Sequence, residues 1–327
     1  MRPFELVQTT EVPQALGKAS EDGVRFVAGG TTLIDLMKLN VETPSRLIDI
    51  NRLPLNQIEV QPDAGIRVGA LVRNADLANH PAIVNRYPVL SQALRAGASA
   101  QLRNMATTGG NLLQRTRCVY FRDTSMPCNK RVPGSGCPAI KGFNRTLAIL
   151  GTSNRCIATN PSDMNVALTA LEATVHLQSA NGKRSVPIHD FFLLPGNTPH
   201  KETVIEPGEL ITHVILPALP DGTNSVYLKL RDRASYEFAL ASAAVITRVE
   251  QGKLMHARVA LGGVGTKPWR SFEAEQVLEG SEVSLERFRA AAEAALRDAQ
   301  PQSMNGFKIE LAKRCLVRAL KLATKIS

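Results

Sequence analysis

The sequence predicts an α+β protein of about two domains, with a third small one not excluded. Three observations carry this. Strand-like and helix-like apolar runs alternate through the first two-thirds of the chain. Three strand-like runs followed by two amphipathic helical runs close it. The 327 residues exceed the roughly 150 of one domain about twofold. The composition agrees: 44% apolar and 21% charged residues exclude disorder as the main state and suit a globular core built without disulfides. No uncharged apolar run is long enough to predict a membrane span. The opening residues MRPFELVQTTEVPQ lack an apolar signal region, so the chain alone reads as cytoplasmic.

The first block, residues 1–55, predicts a βαβ-like unit. Phe26, Val27 and Ala28 form a strand that ends at Gly29-Gly30. A helix with Leu33, Leu36 and Met37 on its apolar side follows, and RLIDI supplies a second strand at 46–50. The second block, 56–220, starts with a strand, a turn and a helix capped near Asn74. VLSQALRAGASAQLRNMA reads as one helix and TTGGNLLQ as a tight glycine turn. Residues 116–156 are rich in Pro, Gly, Cys and charge and predict a long inserted loop, a feature that is uncommon and usually functional. MNVALTALEATVHLQS then reads as a helix running into a strand, and PGELITHVILP as a strand bounded by proline. The third block, 221–327, predicts three strands (VYLKLRDRAS, FALASAAVITRVE, ARVALGGVG) and two helices, a small α+β domain.

The net charge is +10, which invites a nucleic-acid reading. Its distribution argues against one. Between Arg115 and Arg155 stand eight Lys/Arg (Arg115, Arg117, Arg122, Lys130, Arg131, Lys141, Arg145, Arg155) and one acid, Asp123. That segment also holds or borders four of the five cysteines.

Candidate chemistry lies in three places. Gly29-Gly30 with Thr31 and Thr32 could admit a pyrophosphate against free backbone N–H groups; a plain β-turn reads equally. The spacing is not GxGxxG, which disfavours a Rossmann dinucleotide site. Thr107-Thr108-Gly109-Gly110-Asn111 repeats the logic, and two such loops suggest convergence on one phosphate-rich ligand. Cys118, Cys128, Cys137 and Cys156 are separated by nine, eight and eighteen residues. They could hold zinc or an iron–sulfur cluster, but neither CxxC nor CxxCxxC occurs, so spacing alone is indecisive. The loop has too few apolar residues to hold itself together, which favours a metal centre, and the surrounding Lys/Arg would offset a negatively charged cluster. Cys315, beside Leu311 and Leu322 on an amphipathic helix, reads as a core thiol. Trp269 reads as a packing anchor. The six histidines show no ligand spacing, and no GxSxG, HExxH or Walker loop occurs.

FVAGGTTLIDLMK, ATTGGNLLQ, NPSDMNVAL, YLKLRDRASYEFALASAAV and ALGGVGTKPWR, in this order, closely resemble the FAD-binding medium subunits of the xanthine dehydrogenase/molybdenum hydroxylase family. The four-cysteine insertion narrows the resemblance to the FAD subunit of bacterial periplasmic aldehyde oxidoreductases, which carries a 4Fe–4S cluster. The FAD subunit of 4-hydroxybenzoyl-CoA reductase is the nearest rival. The resemblance implies a PCMH-type (vanillyl-alcohol-oxidase-like) FAD-binding fold with a C-terminal domain of a three-stranded antiparallel sheet plus helices. It implies FAD held by Phe26, Val27, Ala28, Gly29, Gly30, Thr31, Thr32 and Leu33, by Thr107, Thr108, Gly109, Gly110 and Asn111, and by Asp163, Ile211 and Lys229. It implies the cluster on Cys118, Cys128, Cys137 and Cys156. The insertion separates Asn111 from Asp163, so cluster-free relatives give no path between them.

By the same resemblance, a large partner subunit carries the molybdenum cofactor and a small one carries 2Fe–2S clusters. This chain, with no catalytic acid or base for the substrate, would pass electrons through FAD to an external acceptor. Export with a partner subunit would make it periplasmic. A flavin-free docking or regulatory module is the alternative of another class. A covalent-flavin oxidase is disfavoured, because residues 20–40 contain neither His nor Cys.

Overall fold

Three short parallel strands begin the chain: β1 (Glu5–Gln8), β2 (Val24–Val27) and β3 (Arg46–Asp49), ordered β1-β3-β2. Parallel neighbours need crossovers, here the helices Val12–Gly17 and Leu33–Lys38. The expected βαβ unit is therefore present. β1 escaped the sequence pattern because its residues are mostly exposed and do not alternate. The computed structural model describes residues 1–63 and 65–326, and no described helix is long and apolar enough to cross a membrane.

The second unit is an antiparallel sheet of β4 (Ile58–Val60), β5 (Ile66–Gly69), β6 (Thr174–Ser179), β7 (Gly182–Pro187) and β8 (Leu210–Leu216), ordered β4-β5-β8-β6-β7. Helices cover one face. The single helix expected from residue 89 onward is two, Pro88–Ala96 and Ala100–Met105. Ala98 takes a left-handed conformation (φ 51°) between them. The Ser99 hydroxyl caps the second helix by accepting from the Leu102 N–H at 3.2 Å, a local bond that competes with a continuous helix. The expected glycine turn is a short helix, Thr108–Leu112, capped by Thr107 Oγ1, which accepts from the Gly110 N–H at 3.2 Å.

The C-terminal sheet has four strands, not the expected three: β9 (Thr223–Leu230), β10 (Ala241–Glu250), β11 (Lys253–Gly262) and β12 (Trp269–Arg270), ordered β12-β11-β10-β9 and antiparallel. Two residues cannot display a period of two, so β12 was invisible in the sequence. It exists because Leu261 and Ala260 pair with Trp269 and Arg270. Three helices, Phe272–Leu278, Leu285–Ala295 and Phe307–Thr324, cover this sheet; the first was also missed. β10 is buried on both sides. Ala241, Ala243 and Val245 meet those helices, while Ala244 and Ile246 enter the core of the second unit. Its small side chains let both layers approach.

Residues 116–156 contain only the helix Val119–Arg122 and a 3-10 turn at Pro138–Ile140, as an inserted loop should. The loop is not short of packing, however. Phe121, Ala139, Leu147, Ile157 and three of the cysteines form a buried cluster with Leu36. Asn129 ties the loop to itself: its Nδ2 donates to the Arg155 carbonyl at 2.9 Å, and its Oδ1 accepts from the Gly136 N–H at 2.8 Å.

Lys308, at the start of the last helix, is fully buried and has no acidic partner. Its ammonium donates to the carbonyls of Leu147 (2.9 Å), Thr146 (3.2 Å) and Gly263. Burial pushes its pKa down to about 7, whereas the three carbonyl acceptors favour the charged form. This strut fastens the C-terminal helix to the chain leaving the insertion. Lys308→Met strands these carbonyls in the interior and is expected to cost on the order of 3 kcal/mol, measured as a fall in unfolding free energy in denaturant.

Candidate functional site

Two cavities of about 250 Å³ each meet at Thr31, Thr32 and Gly110. One runs along the strand end and loop from Arg25 to Leu33. The other is walled by Leu94, Arg103, Asp163, Lys229, Tyr236 and Phe238. Both glycine loops thus border one continuous space. At Gly29 an added Cβ would lie 1.9 Å from the Met105 carbonyl oxygen, so only glycine allows the first loop to seat against the 105–107 segment. Gly30 has φ +70°, the left-handed region that turns the chain from strand into helix.

The two loops differ in what they offer a ligand. In the first, the N–H groups of Gly29, Gly30, Thr31, Thr32 and Leu33 donate to no described residue. Five successive free amides at a cavity wall suit the oxygens of a pyrophosphate. In the second, the amides are consumed internally. Thr108 N–H donates to Val72 O at 2.9 Å, Gly109 N–H to Ala70 O at 2.8 Å, and Asn111 N–H to Thr107 O at 2.8 Å. The Thr107 and Thr108 hydroxyls are also engaged. The second loop therefore supplies a side-chain-free surface at Gly110 and the Asn111 amide, rather than free N–H groups. Asn111 Oδ1 accepts from Ser162 Oγ at 2.8 Å, which fixes the return of the insertion beside the loop where it departed.

Asp163 begins the helix Asp163–Ala170. Lys229 from β9 donates to its Oδ2 at 2.8 Å and to Ala96 O at 3.1 Å, and the Tyr227 hydroxyl donates to its Oδ1. The Lys229 and Asp163 side chains are 4% and 8% exposed, so this ion pair is buried. Burial, then Asp163, holds the Tyr227 phenol well above its usual range, so it stays a donor. Asp163 and Lys229 come together on the cavity wall, and their first partners are each other. Ile211 is placed elsewhere: it pairs with Leu177 inside the sheet, lies in the core of the second unit, and lines neither cavity. Leu94, Arg103, Tyr236 and Phe238 line the second cavity and were not named as ligand residues from sequence, and Asn74, expected near a helix cap, lines it too while Arg73 takes the cap position. They come from separate stretches of the chain and meet through the fold.

All five cysteines are free thiols. Cys315 is 1% exposed and its Sγ faces Leu228 O, as expected for a core thiol. Cys118, Cys128 and Cys156 share one buried cluster with Cys137 packed against it. Burial pushes the Cys118 thiol up to about 11, and burial likewise raises Cys137 and Cys156. Each also feels its neighbours' charge: Cys128 and Cys156 act on both Cys118 and Cys137. The Ala158 N–H donates to Cys156 Sγ at 3.4 Å, and nearby backbone N–H groups lower the Cys118 and Cys137 thiols against the effect of burial. Among the described residues, no three His, Cys, Asp or Glu side chains are grouped to hold a metal ion. A cavity of about 220 Å³ runs from Cys118 to Asp163.

Residues 2–219 match the family described as the FAD binding domain in molybdopterin dehydrogenase, and residues 226–323 match the CO dehydrogenase flavoprotein C-terminal domain. The chain belongs to the FAD-binding medium subunits of the molybdenum hydroxylase family. It is 52% identical over 95% of both chains to the aldehyde oxidoreductase FAD-binding subunit PaoB of Escherichia coli (strain K12). It is 30% identical over 97% of both to the glyceraldehyde dehydrogenase medium chain of Sulfolobus acidocaldarius. Its fold superposes on carbon monoxide dehydrogenase from Hydrogenophaga pseudoflava with TM-score 0.78 and 28% identity, covering 99% of this chain and 98% of that one. This medium subunit is therefore part of an oxidoreductase and binds FAD.

Two outcomes test this site. Gly29→Val drives a branched side chain into the Met105 carbonyl, and flavin absorbance per chain should fall to near zero; full retention of FAD would contradict the loop's role. Lys229→Met leaves the Asp163 carboxylate buried without its cation. It should cost on the order of 3 kcal/mol and lower flavin occupancy, read by denaturation and by absorbance.

Proposed function

We propose that this chain is the FAD- and 4Fe–4S-binding electron-transfer subunit of a heterotrimeric molybdenum-dependent aldehyde oxidoreductase. It would work between a 2Fe–2S small subunit and an external acceptor, with substrate chemistry on a molybdenum-cofactor-binding large subunit. The complex would act in the periplasm after export with a partner. The observation that carries the reading is the gathering of four free cysteines beside the FAD cavity, in a chain 52% identical to an aldehyde oxidoreductase FAD-binding subunit.

The thiol-only donor set supports a cluster rather than a single ion. Cys118, Cys128, Cys137 and Cys156 would each bind one iron of a cubane, which separates its ligands more widely than a single ion does. An N–H turned toward sulfur, as Ala158 is toward Cys156, stabilises a cluster thiolate and raises the cluster's potential. When bound, FAD takes up and releases two electrons and the cluster one. The chain's own residues supply the setting. The Gly29–Leu33 amides receive the pyrophosphate, Lys229 and Tyr227 hold Asp163 at the cavity wall, and Phe121, Leu147 and Ile157 exclude water from the cysteines.

Co-purified anaerobically with its partners, the chain should carry one FAD and about four iron and four sulfide. Serine at Cys128 should remove the iron, and serine at Cys315 should leave it. One equivalent of zinc without iron, or a disulfide between any two of the four, would overturn the cluster. Absence of aldehyde-dependent reduction of an artificial acceptor would overturn the substrate class.

A further inference from the structure

Asn74 stands where the two glycine loops meet. Its backbone N–H donates to Ala106 O at 2.9 Å. The Arg73 guanidinium next to it donates to the Met105 carbonyl and to Asn51 Oδ1 (3.1 Å), and Arg73 bridges to Thr107. Met105 is the residue against which Gly29 seats, and Thr107 caps the second loop. One segment therefore fixes both loops and the position of Asn74.

The side chain at this position is unused by the protein. Asn74 is 5% exposed, its Oδ1 is enclosed with no hydrogen-bond partner, and its Nδ2 donates to no described residue. It does not cap its helix, Asn74–Asn79, because the cap residue is Arg73 and no side-chain bond is made there. It lines the cavity shared with Thr32, Asp163 and Lys229. Other polar groups on that wall are engaged: Lys229 with Asp163, and Arg103 with the Gly97 carbonyl at 2.7 Å. An enclosed carbonyl oxygen without a partner is costly and rare in folded proteins. It is explained when a ligand completes it.

We infer that Asn74 contacts FAD directly through its unengaged carboxamide. The inference rests on FAD binding in this cavity. A carboxamide offers an N–H and a carbonyl side by side. Both ends of FAD present a matching edge: the pyrimidine side of the isoalloxazine alternates N–H and carbonyl groups, and adenine sets an amino group beside a ring nitrogen. Asn74→Leu removes both partners at similar volume, and Asn74→Asp keeps the shape but removes the donor.

The test uses the full chain stripped of FAD and retitrated. Both variants should bind FAD about tenfold or more weakly than the parent. Flavin-free Asn74→Leu should melt at the parent's temperature or above it, since the protein loses no bond of its own. A shifted flavin potential or visible band in the variants places the contact on the isoalloxazine. Weakened competition by ADP, with the flavin spectrum unchanged, places it on the adenine. If Asn74→Leu does not fold, Asn74→Asp alone carries the affinity measurement. FAD affinity, spectrum and potential all matching the parent in the folded variants would overturn the inference. A parent chain that takes up no FAD would instead overturn the flavin reading beneath it.

Discussion

The Asp163 carboxylate is buried at the start of a helix of the second unit, and β9 of the C-terminal sheet binds it through Lys229 and Tyr227. A charge buried to this degree has no alternative partner in water. The C-terminal sheet must therefore stay seated wherever Asp163 is placed. Gly97 lies beside the same carboxylate, where an added Cβ would come within 3.2 Å of Oδ2. The Asn111–Ser162 bond sets the residue before Asp163 against the second glycine loop. Cavity wall, C-terminal sheet and the base of the insertion are thus joined at one group. The shared core follows the same line, since Tyr227, Ala244 and Ile246 pack among the helices of the second unit.

The positive charge of the insertion is spent on docking it. Arg117 and Arg122 both pair with Asp35, in the helix after the first glycine loop. Arg115 pairs with Glu42 and Glu202, Lys130 with Glu202, and Arg145 with Asp232. Burial raises the pKa of Glu202, but Lys130 and Arg115 outweigh it and hold the carboxyl below its usual range. The Arg131 guanidinium closes carbonyls of its own loop at Tyr120, Phe121 and Met126. The acids that answer this charge lie outside the insertion, so a run that reads as unbalanced in sequence is largely balanced in space. Charge compensation for a cluster is not its first role.

The sites on either side of Asp163 are built by opposite means. The glycine-loop side has backbone left unpaired, the Gly29–Leu33 amides, beside a second loop whose amides from Thr108 to Asn111 are paired. That pairing makes the second loop a rigid wall against which the first is positioned. The cysteine side has apolar cover and the Ala158 N–H turned toward Cys156 Sγ. The cavity from Cys118 to Asp163 separates the two, and a wider groove of about 760 Å³ passes Arg115, Lys130 and Cys156 on the other flank.

Local pattern determined a good deal. Gly29-Gly30 after a strand, the βαβ order, the amphipathic closing helices, the irregular 116–156 loop and the buried role of Cys315 were legible because each is a short-range property of periodicity, glycine or composition. Tertiary structure decided the rest. β1, β4 and β7 are edge strands whose exposed residues show no alternation, and β12 is two residues stabilised only by its neighbour. The break at Ala98 turned on a cap bond that pattern does not weigh against apolar spacing. Which glycine loop keeps free amides depends on Val72 and Ala70, far away in sequence, accepting the bonds of one loop and not of the other. Ile211, marked by resemblance, was drawn into the core by its strand partners, while Asn74, read from sequence only as a helix cap, was carried to the cavity by a bond to Ala106. Sequence sets what each segment can form; hydrogen-bond partners distant along the chain decide which of its polar groups remain free for a ligand.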